Sequence, residues 1–267
     1  MSEQTSNLVI RNEGDVSWVT INRPIDRNAL DSATIRQLLV HLEDTESSGV
    51  RVVAYWGAGK KHFIGGADGV EMYRMGSQEA RTFSQRIQGL FNRMEQSKLL
   101  LIAAIDGLCF GGGLEFALAC DLRFASTTSR MGLPEVKLGI LPGGGGTQRL
   151  PRIVGFGKAV EMILTGKLIG AKQAFEMGLV HRVVSPEGLK EQVEDAAVRA
   201  SRIPEHAFAG AKAAVYAARD LPLADGLTWE SEKFGDCFSD PFFSQRVQEQ
   251  LASGSLQTTF KLGEKER

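Results

Sequence analysis

The stretch GLCFGGGLEFALACD at residues 107–121 contains three consecutive glycines, followed by a glutamate in an apolar segment. The run LLLIAAIDG at 99–107 predicts a buried strand before the glycines, and residues 114–120 predict a helix after them. Glycines at such a junction let the backbone turn sharply, and the first N–H groups of a helix have no partner inside it. Together with the helix dipole, these N–H groups stabilise negative charge. The stretch therefore predicts an oxyanion site at the start of a helix.

A carboxylate lies within this predicted site. Glu115 falls in the first turn of the helix, between the apolar residues Leu114 and Phe116. Apolar surroundings raise the pKa of a carboxyl group and suit it to acid–base catalysis, whereas a glutamate that only stabilises the helix dipole is the structural alternative. Glu135 follows a proline in MGLPEVKLG, and a lone Pro-Glu pair is more typical of a surface loop. From the residues alone, both glutamates stay open to either interpretation.

A second glycine-rich turn precedes the first. FIGGAD at 63–68 follows the predicted strand VRVVAYWGAG at 50–59 and leads towards a possible helix at 70–75. Two such turns can supply two N–H donors to one ligand. Each turn is weak evidence alone, because glycines between a strand and a helix are more often purely structural.

The rest of the chain alternates strands with helices, which predicts an α/β architecture. Further strands are predicted at 8–11, 16–22, 122–126 and 179–184, a loop at 139–146, and helices from Asp31 or Ser32 to about Gly49, at 77–96, near 156–164 and near 171–177. From Pro186 the chain is predicted to be helical, with a break at Pro204. We expect a single domain over 1–267, with a core over about 1–200 and a helical C-terminal portion over about 204–267.

Composition and motifs exclude several classes of protein. The formal net charge of −1, from 31 basic and 32 acidic residues, offers no basic stripe for nucleic acid and no polybasic membrane anchor. The start MSEQTSNLVI lacks the features of a secretion signal or transit peptide, so we expect a cytoplasmic protein. The spacings of the cysteines and histidines match no metal or disulfide pattern. No motif typical of nucleotide triphosphatases, dinucleotide-binding enzymes or serine hydrolases occurs.

Five ordered segments carry a resemblance to a known family. They are INRPIDRNAL, FIGGAD, GLCFGGGLEFALACD, GLPEVKLGILPGGGGTQRL and LTGKLIGAKQAFEMGLVHRVV. With these segments, the chain resembles the enoyl-CoA hydratase, or crotonase, superfamily over essentially its whole length. The resemblance implies a crotonase-like spiral of repeated ββα units, followed by C-terminal helices that cover the active site and join subunits. It also implies a homotrimer or a dimer of trimers.

The resemblance implies roles for individual residues as well. The substrate would be an acyl-CoA thioester, and its enolate would be stabilised by the backbone N–H groups of Ala67 and Gly112. The two glutamates of hydratases fall on Glu115 and Glu135. The implied contacts to substrate and coenzyme A comprise Arg27, Ala29, Gly65, Asp68, Gly111 and Gly143. No metal and no cofactor are implied, because coenzyme A is part of the substrate.

The chemistry of hydration fits these residue types. Adding water across a double bond conjugated to a thioester needs a base, an acid and stabilisation of negative charge on the thioester oxygen. We therefore expect a 2-enoyl-CoA hydratase. The alternatives are an isomerase or dehydratase of the same fold that acts on a functionalised acyl group, and a catalytically silent CoA-binding protein.

Two segments depart from the family pattern. Ile64 and Gly65 stand where many members carry small residues such as serine, cysteine or alanine. The segment SDPFFSQRVQEQL, after KFGDCF, lacks the aromatic residue followed by Glu-Lys-Arg that is common near the C-terminus of the family. These departures bear on the identity of the substrate, the contacts to coenzyme A and the packing of subunits.

Overall fold

The computed structural model describes residues 6–253. Packing divides the chain into two compact units, one up to Arg202 and one from Ile203 onward. The expectation of a single domain stays a prediction. The last part of the predicted C-terminal portion, beyond residue 253, lies outside the described residues.

A six-stranded sheet runs through the first unit. Its central strands are almost continuous runs of buried apolar residues, which is typical of parallel strands covered on both faces. In spatial order the sheet comprises β1 (Leu8–Glu13), β2 (Val16–Ile21), β3 (Val52–Gly57), β5 (Leu100–Ile105), β7 (Leu122–Ser126) and β10 (Arg182–Val184). Strand β1 pairs antiparallel with β2, and the following pairs are parallel.

A second, four-stranded sheet consists of short strands. In spatial order it comprises β4 (His62–Ile64), β6 (Leu108–Phe110), β8 (Arg130–Gly132) and β9 (Ile169–Gly170). Strands β3, β5 and β7 belong to the large sheet, and the strands that directly follow them, β4, β6 and β8, belong to the small one. A helical segment follows each pair. The chain thus repeats a ββα unit, as the family resemblance implies.

The first helix of the first unit begins where the sequence predicts its cap. Asp31 caps this helix, because its side chain accepts a hydrogen bond from the N–H of Thr34 at 2.7 Å. The helices are α1 (Ser32–Glu46), α2 (Gly69–Met72), α3 (Ser77–Gln96), α4 (Gly112–Ala119), α5 (Gly146–Val154), α6 (Phe156–Thr165), α7 (Ala171–Glu176) and α8 (Leu189–Ser201), and a 3-10 turn covers Glu135–Leu138.

Two helices near the predicted site differ from the sequence-based expectation. Helix α4 begins at Gly112 rather than at residue 114, so the last two glycines of the run form its first turn. Helix α5 directly follows the predicted glycine loop and contains Pro151, which argues against a helix in the sequence. In both cases tertiary packing overrides the low helix propensity of glycine or proline.

Helix α4 lies in the centre of the apolar core. All of its residues are buried, and the ring of Phe116 packs against three other aromatic rings. The centroid distances are 4.8 Å to Tyr55, 6.3 Å to Phe63 and 5.9 Å to Phe91, and the contacts to Tyr55 and Phe91 are edge-to-face. Such contacts are favourable beyond the area that they bury. The core therefore fixes the helix that carries the first glutamate.

The second unit is helical, as predicted. It comprises α9 (Glu205–Asp220), α10 (Leu223–Cys237) and α11 (Phe242–Ala252). Each of these helices follows a proline, which has no N–H to donate within a preceding helix. Helices α9 and α10 pack against each other. Across the described residues, no helix has the length and apolar character needed to cross a membrane.

Candidate active site

Two backbone N–H groups from separate segments meet at the start of α4. Gly112 is the first residue of the helix, and a Cβ atom added to it would lie 3.0 Å from the backbone nitrogen of Ala67. Within residues 6–253, neither of these N–H groups donates a hydrogen bond. The positive end of the helix dipole lies at the same place. The two predicted oxyanion donors are therefore adjacent and able to bind one acceptor.

Backbone hydrogen bonds to Leu30 hold the segment that carries Ala67. The N–H of Leu30 donates to the carbonyl oxygen of Gly66, and the N–H of Asp68 donates to the carbonyl oxygen of Leu30, both at 2.9 Å. Successive peptide groups of an extended segment point in opposite directions. The N–H of Ala67 is therefore directed away from Leu30.

The glycines on either side of Gly112 are needed for different reasons. Gly111 has φ of 53°, and a Cβ atom there would lie 2.9 Å from Oε1 of Glu135. Gly113 packs so closely against β4 that a Cβ atom would overlap the carbonyl oxygen of Ile64. The first glycine leaves space for a carboxyl group, and the second lets α4 approach the small sheet.

Glu115 projects from α4 onto the four glycines at residues 143–146, which we call the glycine loop. Its Oε1 accepts hydrogen bonds from the N–H groups of Gly144 at 2.8 Å and Gly146 at 2.7 Å. The residue is only 2% exposed. A buried carboxylate is costly unless donors satisfy it, and the glycine loop supplies such donors.

Glu135 approaches the same place from the 3-10 turn. The residue is half-buried, and its Oε2 is a buried atom without a hydrogen-bond partner among the described residues. Its Oε1 faces Gly111, next to the two unpartnered N–H groups. The second glutamate thus offers an oxygen atom that residues 6–253 leave without a hydrogen bond.

The pKa values of both glutamates are raised, and burial is the largest cause for each. For Glu115, the N–H groups of Gly146 and Gly144 and the charge of Arg149 oppose this rise in pKa. For Glu135, the pKa is raised to about 7, because the negative charge of Glu115 adds to the effect of burial. The two carboxyl groups therefore interact electrostatically, and one of them can hold a proton near neutral pH.

The sequence of this chain matches a known family. Residues 11–251 match the family model described as enoyl-CoA hydratase/isomerase. The chain belongs to this family.

Individual relatives agree with this membership. The chain is 40% identical over 237 residues to a short-chain-enoyl-CoA hydratase of Clostridium acetobutylicum. The aligned region covers 88% of this chain and 91% of the relative. It is 37% identical to a crotonyl-CoA hydratase of Syntrophomonas wolfei, over 87% of this chain and 90% of the relative. It also matches the crystal structure of an enoyl-CoA hydratase from Bacillus anthracis with a TM-score of 0.88 and 34% identity, over 93% of this chain and 97% of that chain. The predicted crotonase-like fold is confirmed.

In this member of the enoyl-CoA hydratase/isomerase family, four of the predicted substrate contacts lie near Ala67, one pair hydrogen-bonded directly and the other bridged by Arg23. The N–H of Gly65 donates to the carbonyl oxygen of Arg27 at 2.9 Å. The guanidinium of Arg23 bridges Ala29 and Asp68. It donates to the carbonyl oxygen of Ala29 at 2.6 Å and to the carboxylate of Asp68 at 2.9 Å. Their contacts to coenzyme A stay predictions.

The two other predicted contacts lie beside the glutamates. Gly111 faces Glu135, as described above, and Gly143 is the first residue of the glycine loop. The carbonyl oxygen of Gly143 accepts hydrogen bonds from α3, at 2.7 Å from Ser84 and 2.8 Å from Gln88. The structure therefore brings the predicted residues of the 63–68 turn, of α4, of the 3-10 turn and of the glycine loop into one site.

Sequence reasoning misses two polar residues that organise the site. Asn28 is fully buried, and its side-chain amide donates to the carbonyl oxygens of Ala58 at 2.9 Å and His62 at 2.8 Å. Arg149 is also buried, and its guanidinium contacts Gly144 and Glu95. Their partners lie 5 to 54 residues away in sequence, so no local pattern marks either residue.

The charged groups of the site show no arrangement for a metal ion. Among the described residues, no group of three or more His, Cys, Asp and Glu side chains is placed to hold one. The polar atoms available to a ligand are instead the two backbone N–H groups and the oxygens of Glu115 and Glu135.

Proposed function

We propose that this protein adds water across the double bond of a 2-enoyl-CoA thioester to give a 3-hydroxyacyl-CoA. One observation carries the proposal: two carboxyl groups with raised pKa values lie beside a pair of unpartnered backbone N–H groups. The names of the relatives, which include a short-chain-enoyl-CoA hydratase and a crotonyl-CoA hydratase, support the same reaction.

The N–H groups of Ala67 and Gly112 would stabilise the charge that develops on the thioester oxygen. Addition of water at the β-carbon moves electrons through the conjugated system and produces an enolate. Two fixed donors, aided by the dipole of α4, lower the energy of this enolate more than that of the neutral thioester. The donors are already oriented by the protein, so no reorganisation is needed during the reaction.

The two glutamates would share the proton transfers. One carboxylate takes a proton from the water that attacks the β-carbon, and one carboxylic acid gives a proton to the α-carbon. A pair that holds a single proton near neutral pH contains both required forms at once. We leave open which of Glu115 and Glu135 acts as acid and which as base.

We extend the proposal to the substrate contacts, the cofactor requirement and the subunits. The proposed contacts to substrate and coenzyme A comprise Arg27, Ala29, Gly65, Asp68, Gly111 and Gly143. Hydration by two glutamates and two N–H donors requires no metal or redox cofactor. We also propose a homotrimer or a dimer of trimers. In α9, α10 and α11 every described residue is at least partly exposed. These residues include large apolar side chains that a neighbouring subunit would cover, namely Val215, Leu223, Phe234 and Phe243.

The proposed activity is tested by following the loss of the conjugated thioester absorbance of crotonyl-CoA. We expect saturable hydration by the wild-type protein and by Glu191→Gln, a control that removes an exposed carboxylate of α8. A panel of 2-enoyl and 3-enoyl thioesters separates the alternatives. Migration of the double bond without hydration would indicate an isomerase, and binding of coenzyme A without turnover of any thioester would indicate a silent binding protein.

A further inference from the structure

A row of polar side chains on α3 faces the glycine loop. Its members recur at intervals of three or four residues, which places them along one side of the helix. We call this row the α3 polar stripe, and it comprises Ser84, Gln88, Asn92 and Glu95. The apolar face of the same helix, with Ile87 and Phe91, packs into the core, so the stripe is held at a fixed distance from the loop.

The first half of the stripe binds one peptide group of the loop. The hydroxyl of Ser84 and the side-chain amide of Gln88 both donate to the carbonyl oxygen of Gly143, at 2.7 Å and 2.8 Å. The N–H of the same peptide group belongs to Gly144, and it donates to Oε1 of Glu115 at 2.8 Å. A peptide group is planar and trans, so its carbonyl and N–H point in opposite directions. Fixing the carbonyl oxygen on α3 therefore directs the N–H at Glu115.

The second half of the stripe binds the next peptide group through Arg149. The guanidinium of Arg149 donates to Oε1 of Glu95 at 2.9 Å, to Oδ1 of Asn92 at 2.7 Å and to the carbonyl oxygen of Gly144 at 3.1 Å. The planar fork of arginine suits such simultaneous contacts. Both peptide groups that flank the Cα atom of Gly144 are thus anchored to one face of α3.

We propose that Ser84 and Gln88 are positioning residues for Glu115 and act through the peptide group that joins Gly143 to Gly144. The two hydrogen bonds to the carbonyl oxygen polarise the peptide group and strengthen its N–H as a donor. They also prevent the loop from rotating this N–H away from the carboxylate. The proposal rests on the proposed role of Glu115 in the reaction.

The double variant Ser84→Ala/Gln88→Leu tests the proposal. Both residues are only partly buried and uncharged, so the fold is expected to survive their replacement. We expect kcat to fall by roughly 10-fold to 10²-fold with little change in KM. The reason is that the carboxylate loses its orientation, whereas the substrate keeps its contacts. The matched control is Gln85→Leu, an exposed residue on another side of α3.

The pKa of Glu115 provides a readout that does not depend on turnover. The N–H of Gly144 favours the ionised form, so weakening this donor raises the pKa of Glu115 and moves the limb of the pH–rate profile that depends on Glu115 to higher pH. The other charged groups that act on Glu115 are Glu135 and Arg149, which pairs with Glu95, and all three are retained in the variant.

The outcomes separate this inference from the proposed function. A ¹³C titration of the Glu115 carboxyl group, assigned by its loss in Glu115→Gln, should move to higher pH in the double variant and not in Gln85→Leu. Wild-type kcat and an unmoved titration in the double variant, with Glu115→Gln inactive, would overturn the positioning role alone. If the wild-type protein hydrates no thioester, the proposed function fails, and the titration still decides whether the stripe acts on Glu115.

Discussion

The two glutamates of the site have the same side chain but contrasting surroundings. Glu115, on α4, is buried and accepts two N–H groups of the glycine loop. Glu135, on the 3-10 turn, is only half-buried, yet its Oε2 lacks a partner among the described residues. The surroundings of Glu115 supply donors that favour its ionised form. The surroundings of Glu135 supply no donor to its Oε2 among the described residues, and the negative charge of Glu115 lies nearby.

This difference shows how one residue type can fill two roles. Donors and a nearby cation partly offset the cost of burying charge on Glu115, whereas burial and repulsion bring the pKa of Glu135 to about 7. Two carboxyl groups in identical surroundings would also share one proton, because both cannot ionise easily at once, but neither group would hold the proton preferentially. The glycine loop, which lies on one glutamate only, creates the asymmetry.

The largest expected effect follows from removing either carboxyl group. Glu115→Gln and Glu135→Gln should each reduce kcat for crotonyl-CoA hydration by about 10²-fold to 10⁴-fold, because the amide neither takes up nor gives up a proton under these conditions. Glutamine keeps an oxygen that can accept the bonds from Gly144 and Gly146, so the circular dichroism spectrum of Glu115→Gln should match that of the wild type. Near-normal turnover by either variant would remove that residue from the mechanism.

The next effect concerns the N–H groups beside the pair. In Gly112→Ala, the new methyl group would lie 3.0 Å from the backbone nitrogen of Ala67, in the space between the two donors. We expect kcat to fall by about 10²-fold to 10³-fold, the range observed when one oxyanion donor is lost. The control is Gly157→Ala in α6, where a Cβ atom meets nothing within 4 Å. Equal activity of the two variants would show that the thioester oxygen binds elsewhere.

The first glutamate stands out in the sequence as a candidate because its evidence is local. Three glycines before an apolar helix mark a helix N-terminus, and a carboxylate among Leu114 and Phe116 is conspicuous. The amphipathic pattern at 77–96 likewise predicts α3 with its bounds correct, since a long periodic segment depends little on its partners. Strand β7 also has its predicted bounds.

The surroundings of that glutamate could not be predicted, because they come from distant segments. The two loop donors lie 29 and 31 residues from Glu115, and Glu95 lies 54 residues from Arg149. Glu135 alone resembles a loop residue, and only the family resemblance singles it out. Helix α5 is missed because Pro151 and the preceding glycines disfavour a helix locally, while contacts to the core and to α4 stabilise it.

A smaller effect is expected from displacing Glu115 without changing it. In Gly144→Ala, the new methyl group would lie 2.7 Å from Oε2 of Glu115 and 2.8 Å from Cγ2 of Ile87, so the carboxyl group or the loop must shift. We expect kcat to fall by about 10²-fold, as a displacement of about 1 Å can cause, with KM changed much less. Unchanged kcat in a folded Gly144→Ala variant would mean that the reaction tolerates a displaced Glu115, which would weaken the contrast between the two glutamates.

The smallest effect links the second glutamate to stability. The pKa of Glu135 is about 7 in the folded protein, above its ordinary value of 4.5, so the folded state binds its proton more tightly than the unfolded state. The wild type therefore loses stability as pH rises from about 4.5 through about 7, and Glu135→Gln, which stays neutral, does not incur this loss. We expect the variant to be more stable than the wild type at pH 8 by on the order of 1–2 kcal/mol; partial exposure of the side chain to water keeps the effect this small.

Urea unfolding at pH 8 and pH 4.5 measures the difference in stability between the variant and the wild type, which should shrink at the lower pH. A gain of equal size at both pH values would show that packing of the amide, rather than relief of a buried charge, stabilises the variant.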